Sequence, residues 1–495
     1  MHRIAATPGG WNPETEGIVF VEQNPAPLVF LTAADTEIQT LAKALPQLPS
    51  GFPELRVSNL LQLQQQLSID TYAEEVLAAA KGIVLRLLGG RAYWSYGLEV
   101  VKQTVEETGA ALFVLPGDDR PDPDLLSHST VPLTVVNQLW RYLTEGGIEN
   151  TTNALKFIAN TIGQHYDLLP VQPIPRVGLY EWRSLAGISA RLPQSPIPNP
   201  QIGILFYRAH YLSGNTAPVD ALCQALADRR LNPVPVFVSS LRDPDVQTDL
   251  LTHFQPKEGE SIQVLLNATS FSLARLDGET PNVDLWQQLD VPVIQVILSG
   301  GTVDQWRSQT RGLSPRDVAM NIALPEVDGR IISRAISFKA VQTRNSALET
   351  DVVGYEPVSD RIQFVADLAA NWANLRRTPV SDRRIALILA NYPTRDGRLA
   401  NGVGLDTPAS CIEILKALQQ AGYFIEDIPA SGDELIQRLT QGITNDPEGQ
   451  DLRQIHQSLS LKDYQHYFTT LPQAVQQGIS DRWNTPTPHT PHPTP

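Results

Sequence analysis

Four polar loops follow apolar runs in this sequence, and they carry the side chains best suited to chemistry. The first loop contains Arg208, His210 and Asn215, directly after the apolar run at 202–207. An arginine can hold a carboxylate in a bidentate grip, and a histidine can move protons or bind a metal ion as neutral imidazole. A structural role is the alternative, in which Arg208 pairs with a structural acid and His210 caps the loop.

The second loop is LPEVDGR at 324–330. Glu326 and Asp328 flank one residue, so an extended segment would place both carboxylates on one face. Such a pair can accept protons or bind a hard cation. The alternative is that the carboxylates are solvated or cap a turn, which the Asp-Gly dipeptide favours.

The third loop, at 391–408, contains Asn401 and Asp406 among several glycines. A loop of this kind can wrap a ligand with backbone amides, and the helix predicted from Thr407 would point its positive dipole end at that ligand. An ordinary long surface loop is the competing interpretation.

The fourth loop is LRLLGGRAYWSYG at 85–97, in which Arg91 and Trp94 follow two glycines. Aromatic faces beside an arginine can stack on a planar ring system. A packed aromatic cluster at a domain edge is the alternative.

Strands alternating with helices must position these loops, which predicts an α/β fold with several domains built as doubly wound parallel-sheet units. The carboxyl ends of such strands form a ligand crevice. The predicted strands are 27–33, 82–88, 111–117, 202–207, 233–238, 261–267, 291–298, 383–390 and 423–429.

Helices are predicted from Asp35, across 131–165, and from Ser314, where Pro315 occupies the first turn. The last hundred residues are expected to become helical. The predicted domains are an N-terminal α/β domain at 1–170, a proline-rich connection at 171–201, a second α/β region at 202–380, a third α/β and helical region at 381–484, and a disordered proline-rich tail at 485–495.

Composition excludes several classes of protein. The net charge of −15 disfavours nucleic-acid binding, because an acidic surface repels phosphate backbones. The two cysteines, Cys223 and Cys411, argue against a disulfide framework and suit a reducing compartment. Apolar runs of about six residues are far shorter than the roughly 20 that a membrane span needs, and the N-terminus has no signal-peptide pattern. A soluble, cytoplasmic protein is expected.

Several long segments of the chain are specific enough to compare with known families. They are TPGGW, LRLLGGRAYW, LFYRAHYLSGNTAPVDAL, QVILSGGTVDQWRSQTRGLSPRDVAMNIALPEVDGRIISRAISFKA and ANYPTRDGRLANGVGLDTPAS. Together they resemble the CobN/magnesium chelatase H family, and the elements RLANGVGLDTP and RAISFKA are similar to its cobalt branch in particular. The sequence contains no GxxxxGK[ST] phosphate loop, which agrees with that family's use of separate ATPase subunits.

The resemblance implies the amino-terminal portion of a large subunit that binds a tetrapyrrole and inserts Co²⁺ into a corrin precursor of the hydrogenobyrinic acid a,c-diamide type. Cobalt is then the substrate metal, and AAA+ ATPase partners (CobS/CobT or ChlI/ChlD-like) use ATP and Mg²⁺. Family members continue for several hundred residues more, so the chain alone is expected to be incomplete as a catalyst. The alternatives are a magnesium chelatase H subunit acting on protoporphyrin IX and a non-catalytic tetrapyrrole-binding fragment.

Roles for individual residues are predicted from motif position together with the loop chemistry described above. The predicted catalytic residues are His210, Glu326 and Asp328, of which His210 and Glu326 also bind the metal. The predicted substrate-binding residues are Arg208, Asn215, Arg91, Trp94, Asn401 and Asp406.

Overall fold

The computed structural model describes residues 18–117, 120–182, 199–273, 283–392, 395–444, 446–456 and 458–483. The chain divides into two compact units, residues 1–376 and residues 377–495. The TPGGW segment, residues 183–198 of the proline-rich connection and the predicted tail at 485–495 lie outside the described residues. The finer predicted division of the first unit into domains at 1–170 and 202–380 stays a prediction.

The first unit begins with a four-stranded parallel sheet in the order β2-β1-β3-β4. Three of its strands confirm the sequence prediction. The additional strand β2 was not predicted, because LRVSN lacks a continuous apolar run although its Arg56 and Ser58 are buried. The strands are β1 (Leu28–Thr32), β2 (Leu55–Asn59), β3 (Gly82–Leu87) and β4 (Ala111–Pro116).

Successive residues of these strands enter opposite cores, because side chains alternate across a sheet. Leu31 belongs to the core that contains the helices at 66–75 and 95–108, whereas its neighbour Phe30 belongs to the core beneath the other helices. The sheet is therefore covered on both faces. The helices are α1 (Asp35–Ala44), α2 (Gln66–Glu75), α3 (Ser95–Thr108), α4 (Pro123–Leu126), α5 (Leu133–Glu145) and α6 (Gly147–Thr161).

A seven-stranded sheet follows, in the order β11-β10-β9-β8-β6-β7-β5. Its five central strands are parallel and its two edge strands are antiparallel, so the sheet is mixed. The strands are β5 (Val177–Leu179), β6 (Gln201–Tyr207), β7 (Asn232–Val238), β8 (Val264–Asn267), β9 (Val293–Leu298), β10 (Ile331–Asn345) and β11 (Thr350–Pro357).

Helices also flank the second sheet. The predicted cap at Ser314 is confirmed, since its hydroxyl accepts a hydrogen bond from the Asp317 amide at 3.1 Å. Residues 319–323 form a π-helical turn between two short helices. The helices are α7 (Arg208–Ser213), α8 (Ala217–Asp228), α9 (Pro244–Phe254), α10 (Asp284–Leu289), α11 (Val303–Ser308), α12 (Pro315–Val318), α13 (Leu324–Val327) and α14 (Ser359–Arg377).

Each sheet has a point at which the strand order reverses. In the first sheet β1 lies between β2 and β3, and in the second sheet β6 lies between β7 and β8. The connections leave in opposite directions at such a point and open a crevice at the carboxyl end of the strand. The crevices are therefore expected near Asp35, which follows β1, and near His210, which follows β6.

Among its described residues, the second unit contains four α-helices, three short 3-10 turns and no strand. The predicted strands at 383–390 and 423–429 are therefore wrong. Neither segment has a neighbouring strand to satisfy its backbone hydrogen bonds, and Ile388 is 92% exposed. The helices are α15 (Thr407–Gln420), α16 (Gly432–Thr440), α17 (Leu461–Thr470) and α18 (Gln473–Trp483).

Two further features bear on the sequence predictions. Cys223 and Cys411 are both buried free thiols. Among the described residues, no helix combines the length and the apolar character needed to cross a bilayer.

Candidate functional site

The crevices of the two sheets meet in one small cavity of about 210 Å³ within the first unit. Asp35 reaches it from the end of β1 and His210 from the end of β6. Residues from β10, β11 and the π-helical turn complete the wall. The polar lining residues are Asp35, Thr36, His210, Asn215, Ser270, Ser314, Arg316, Asp317, Asn321, Lys339 and Tyr355.

His210 is a neutral imidazole at pH 7. Its burial, together with the nearby charge of Lys339, lowers its pKa to about 4. The ring meets Tyr355 edge to face, with 5.5 Å between ring centroids. Its Nδ1 atom is buried without a hydrogen-bond partner among the described residues. A neutral imidazole of this kind can accept a proton or coordinate a metal ion.

Lys339 connects the two sheets across this cavity. Its Nζ lies 2.6 Å from Asp35 Oδ2. Burial opposes the charged form of Lys339, but the charge and hydrogen bond of Asp35, together with the influence of Tyr355, outweigh burial, and the pKa of the lysine is raised. Burial also raises the pKa of Tyr355, which therefore keeps its phenolic proton at neutral pH.

A second group of polar residues surrounds Asp317. One carboxylate oxygen accepts from the Ser299 hydroxyl at 2.8 Å, and the other accepts from the Gly300 amide at 3.0 Å. The pKa of the neighbouring Arg316 guanidinium is lowered by burial, which the charge of Asp317 partly offsets. Asp317 thus connects α12 to the loop after β9 by hydrogen bonds, and these bonds fix this part of the cavity wall.

A larger cleft of about 1160 Å³ adjoins the small cavity, and Ala34 and Thr36 line both. It runs along the carboxyl ends of β3, β4 and β7. Two glycine pairs, Gly89–Gly90 and Gly146–Gly147, form parts of its wall, where the backbone has positive φ angles that suit glycine.

Of the residues predicted from the first loop, His210 and Asn215 line the small cavity and Arg208 lines the larger cleft. The Asn215 side chain accepts a hydrogen bond from the Tyr355 amide at 3.0 Å. Arg208 is buried, and its guanidinium donates to the carbonyls of Pro175 and Ile174, both at 2.9 Å. Arg208 therefore fastens the chain before β5 to α7.

Glu326 and Asp328 do not share a face of an extended segment, and that prediction is wrong. Glu326 lies exposed on helix α13, whereas Asp328 is buried just beyond its end. Asp328 pairs with Arg330 at 2.6 Å, and it also accepts from the Ser272 hydroxyl at 2.6 Å. Neither carboxylate lines the small cavity.

The remaining predicted residues have other surroundings. Trp94 is buried in the first core, and its indole donates to the Leu63 carbonyl at 2.9 Å. Arg91 is exposed, 3.6 Å from Glu99. In the second unit, Asp406 caps α15 by accepting from the Ala409 amide at 3.0 Å, and Asn401 is exposed in the preceding loop.

The sequence pattern did not single out Lys339, Tyr355 or Arg316 as site residues. Lys339 lies inside the apolar strand segment ISFKAV, and a lysine within such a run is the signal that could have identified it. No comparable signal marks Tyr355. Within the described residues, no group of three or more His, Cys, Asp or Glu side chains is arranged to hold a metal ion.

Comparison with known proteins finds matches to chelatase subunits over most of the chain. A family model described as CobN/Magnesium Chelatase matches residues 140–493. The aerobic cobaltochelatase subunits CobN of Pseudomonas aeruginosa and Sinorhizobium sp. are 41% and 40% identical to it, and each match covers 98% of this chain. The chain spans about 38% of the length of these relatives.

A solved structure supports the same relationship. The catalytic subunit of cobaltochelatase from Mycobacterium tuberculosis matches with a TM-score of 0.60 and 29% identity. The match covers 93% of this chain and 36% of that one.

Proposed function

The chain belongs to the CobN/magnesium chelatase family, and on this premise we propose that it forms part of the large subunit of an ATP-dependent cobaltochelatase. That subunit would hold a corrin precursor of the hydrogenobyrinic acid a,c-diamide type while Co²⁺ is inserted, a step towards cobalamin. The observation that carries the proposal is the identity of about 40% to two cobaltochelatase subunits over 98% of the chain.

The volumes of the two cavities support a division of labour between them. Pockets for small molecules commonly measure about 300–1,000 Å³. The small cavity, at about 210 Å³, falls below this range, whereas the adjoining cleft, at about 1160 Å³, is large enough for a macrocycle. In this proposal the cleft receives the tetrapyrrole and the small cavity supplies polar side chains at its edge.

Insertion of Co²⁺ into a corrin requires that the macrocycle lose its inner N–H proton as the ion enters. Because His210 is neutral at pH 7, we assign it the role of proton acceptor or transient ligand for the incoming ion. Lys339 and Arg316 would stabilise negative charge close to it. Roles for Glu326 and Asp328 are supported only by motif position, since neither reaches this cavity.

The other proposed substrate contacts have unequal support. Arg208 and Asn215 line the cleft and the cavity. Arg91, Trp94, Asn401 and Asp406 line neither, so their proposed contacts rest on sequence alone. Partner subunits of the AAA+ type would use ATP and Mg²⁺, which is consistent with the lack of a GxxxxGK[ST] loop in the sequence. Turnover is proposed to need the further sequence found in the relatives.

Absorption titration of the purified chain tests the proposal directly. Hydrogenobyrinic acid a,c-diamide should shift its spectrum on binding, whereas protoporphyrin IX should bind more weakly. The reverse preference would favour the magnesium branch of the family. If neither macrocycle binds, the proposed function is wrong.

The role of His210 needs a separate insertion assay. His210→Ala would be introduced at the matching position of a complete cobaltochelatase subunit, which is then assayed with its partner ATPase. Loss of insertion with retained macrocycle binding is expected. An unchanged insertion rate would remove His210 from the mechanism.

A further inference from the structure

Arg86 occupies an unusual position at the carboxyl end of the first sheet. It lies on β3, next to β1, the strand at which the order of the sheet reverses. Its side chain is only 4% exposed, and the residue lines the large cleft. An arginine in such a location keeps its charge and must find partners for five N–H groups.

The partners of Arg86 satisfy only part of this requirement. Its Nη2 lies 2.7 Å from Glu37 Oε1 and donates to the Gly117 carbonyl at 3.3 Å. The Nε and Nη1 groups are buried without a hydrogen-bond partner among the described residues. Buried N–H groups of a cation that lack partners are costly, since each has lost its hydrogen bonds to water.

The backbone around Arg86 leaves open space in the cleft. Gly89 and Gly90, which follow β3, line the same cleft as Arg86, and with φ angles of 97° and 83° they present backbone and no side chain to it. Gly117 follows β4 and lines the same cleft. Glu37 does not serve Arg86 alone, because its Oε2 atom accepts a hydrogen bond from the Thr32 hydroxyl at 2.5 Å.

We propose that Arg86 is the anchor for a peripheral carboxylate of the macrocycle in the large cleft. This inference rests on the proposed function and specifies which end of the cleft the acidic side chains of the tetrapyrrole occupy. Arginine and carboxylate form paired, charge-assisted hydrogen bonds, and an anion here would supply acceptors for N–H groups that have none. Phosphate offers the same oxyanion chemistry and is the competing source.

The first experiment compares two forms of one ligand by absorption titration. Hydrogenobyrinic acid a,c-diamide has free carboxylates, whereas its methyl ester does not. Arg86→Gln should weaken binding of the acid at least tenfold and leave binding of the ester within twofold. Arg141→Gln is the matched control, because Arg141 is an exposed arginine on α5 outside the cleft lining. It should change neither affinity.

Glu37→Gln provides a test that misfolding cannot imitate. Removing this carboxylate frees Arg86 and eliminates a repulsive charge at the same end of the cleft. Affinity for the acid should rise several-fold, while affinity for the ester should stay constant. Inorganic phosphate, added as a competitor, should displace the acid from the wild-type chain more effectively than the ester.

The possible outcomes distinguish a failure of the Arg86 anchor from a failure of the proposed function. If Arg86→Gln weakens acid and ester equally, Arg86 has a structural role and the anchor is excluded. If phosphate binds through Arg86 but acid and ester bind alike, the subsite holds a simple oxyanion and the macrocycle assignment is overturned. If the wild-type chain binds neither macrocycle, the proposed function and this inference fail together.

Discussion

The second sheet and the second unit contain very similar apolar runs with different outcomes. IGILFY at 202–207 forms a buried strand hydrogen-bonded to β7 on one side and β8 on the other. IALILA at 385–390 is at least as apolar and also precedes a polar loop and a helix, yet it pairs with no strand among the described residues. The comparison teaches that an apolar run becomes a parallel strand only where neighbouring strands satisfy its backbone.

Burial shows the same contrast. The first unit has large cores on both faces of its sheets, with Phe30, Phe113 and Phe206 at most 1% exposed. In the second unit, α16, α17 and α18 contain no buried residue. Stability should therefore respond to substitution in the first unit far more than in the second, which the following predictions examine.

The largest effect is expected from the substitution Phe113→Ala on β4. Removing this fully buried ring should lower the free energy of unfolding by about 3–5 kcal/mol. Phe424→Ala is the matched change in the second unit, where the ring is 71% exposed, and it should stay within about 0.5 kcal/mol. Urea unfolding followed by circular dichroism measures both. Equal losses would contradict the comparison.

Asp328→Ala should have the next largest effect. Arg330 would remain buried without its carboxylate partner, and breaking such a pair costs about 3–5 kcal/mol, part of which relaxation of the turn can recover. In the second unit, Glu434 forms an exposed ion pair with Arg438, and Glu434→Ala should leave the unfolding midpoint nearly unchanged. A larger effect for Glu434 would break the contrast.

The pH dependence of stability should reveal His210. Its folded pKa, about 4, lies below its ordinary value of 6.5, so the unfolded state binds more protons between these limits. The free energy of unfolding should therefore decrease as the pH falls from about 6.5 to about 4. Below pH 4, His210 should cause no further decrease. The total should not exceed about 3 kcal/mol. Urea unfolding at each pH measures it, and His210→Gln should flatten this slope.

The smallest effect is expected at the cap of α15. Asp406→Ala removes the side-chain acceptor of the Ala409 amide and should destabilise the helix by about 1 kcal/mol. Hydrogen exchange of amides at 407–411 is the suitable measurement. Asp406→Asn, which keeps an acceptor oxygen, should largely preserve their protection. Faster exchange in both variants would show that the charge matters more than the cap.

Much of the first unit could be predicted because local patterns and tertiary neighbours agree there. The apolar run at 82–88 and the cap at Ser314 correspond to observed elements. Strand β2 was not predictable, since Arg56 is buried through hydrogen bonds to the distant carbonyls of Asn24 and Ala347. The sequence indicated part of the candidate site, because His210 and Asn215 follow a strand in the chain, whereas Tyr355 comes from an edge strand.

The sequence by itself determined the family, the α/β alternation and the loop that carries His210, because these depend on residues close together in the chain. Only the tertiary structure decided that Asp35 and Lys339, about three hundred positions apart, meet beside that histidine. The tertiary structure also decided that Asp328 forms a buried ion pair with Arg330. The physical reason is that charge pairing and desolvation depend on distances through space, which strand order sets and local sequence does not encode.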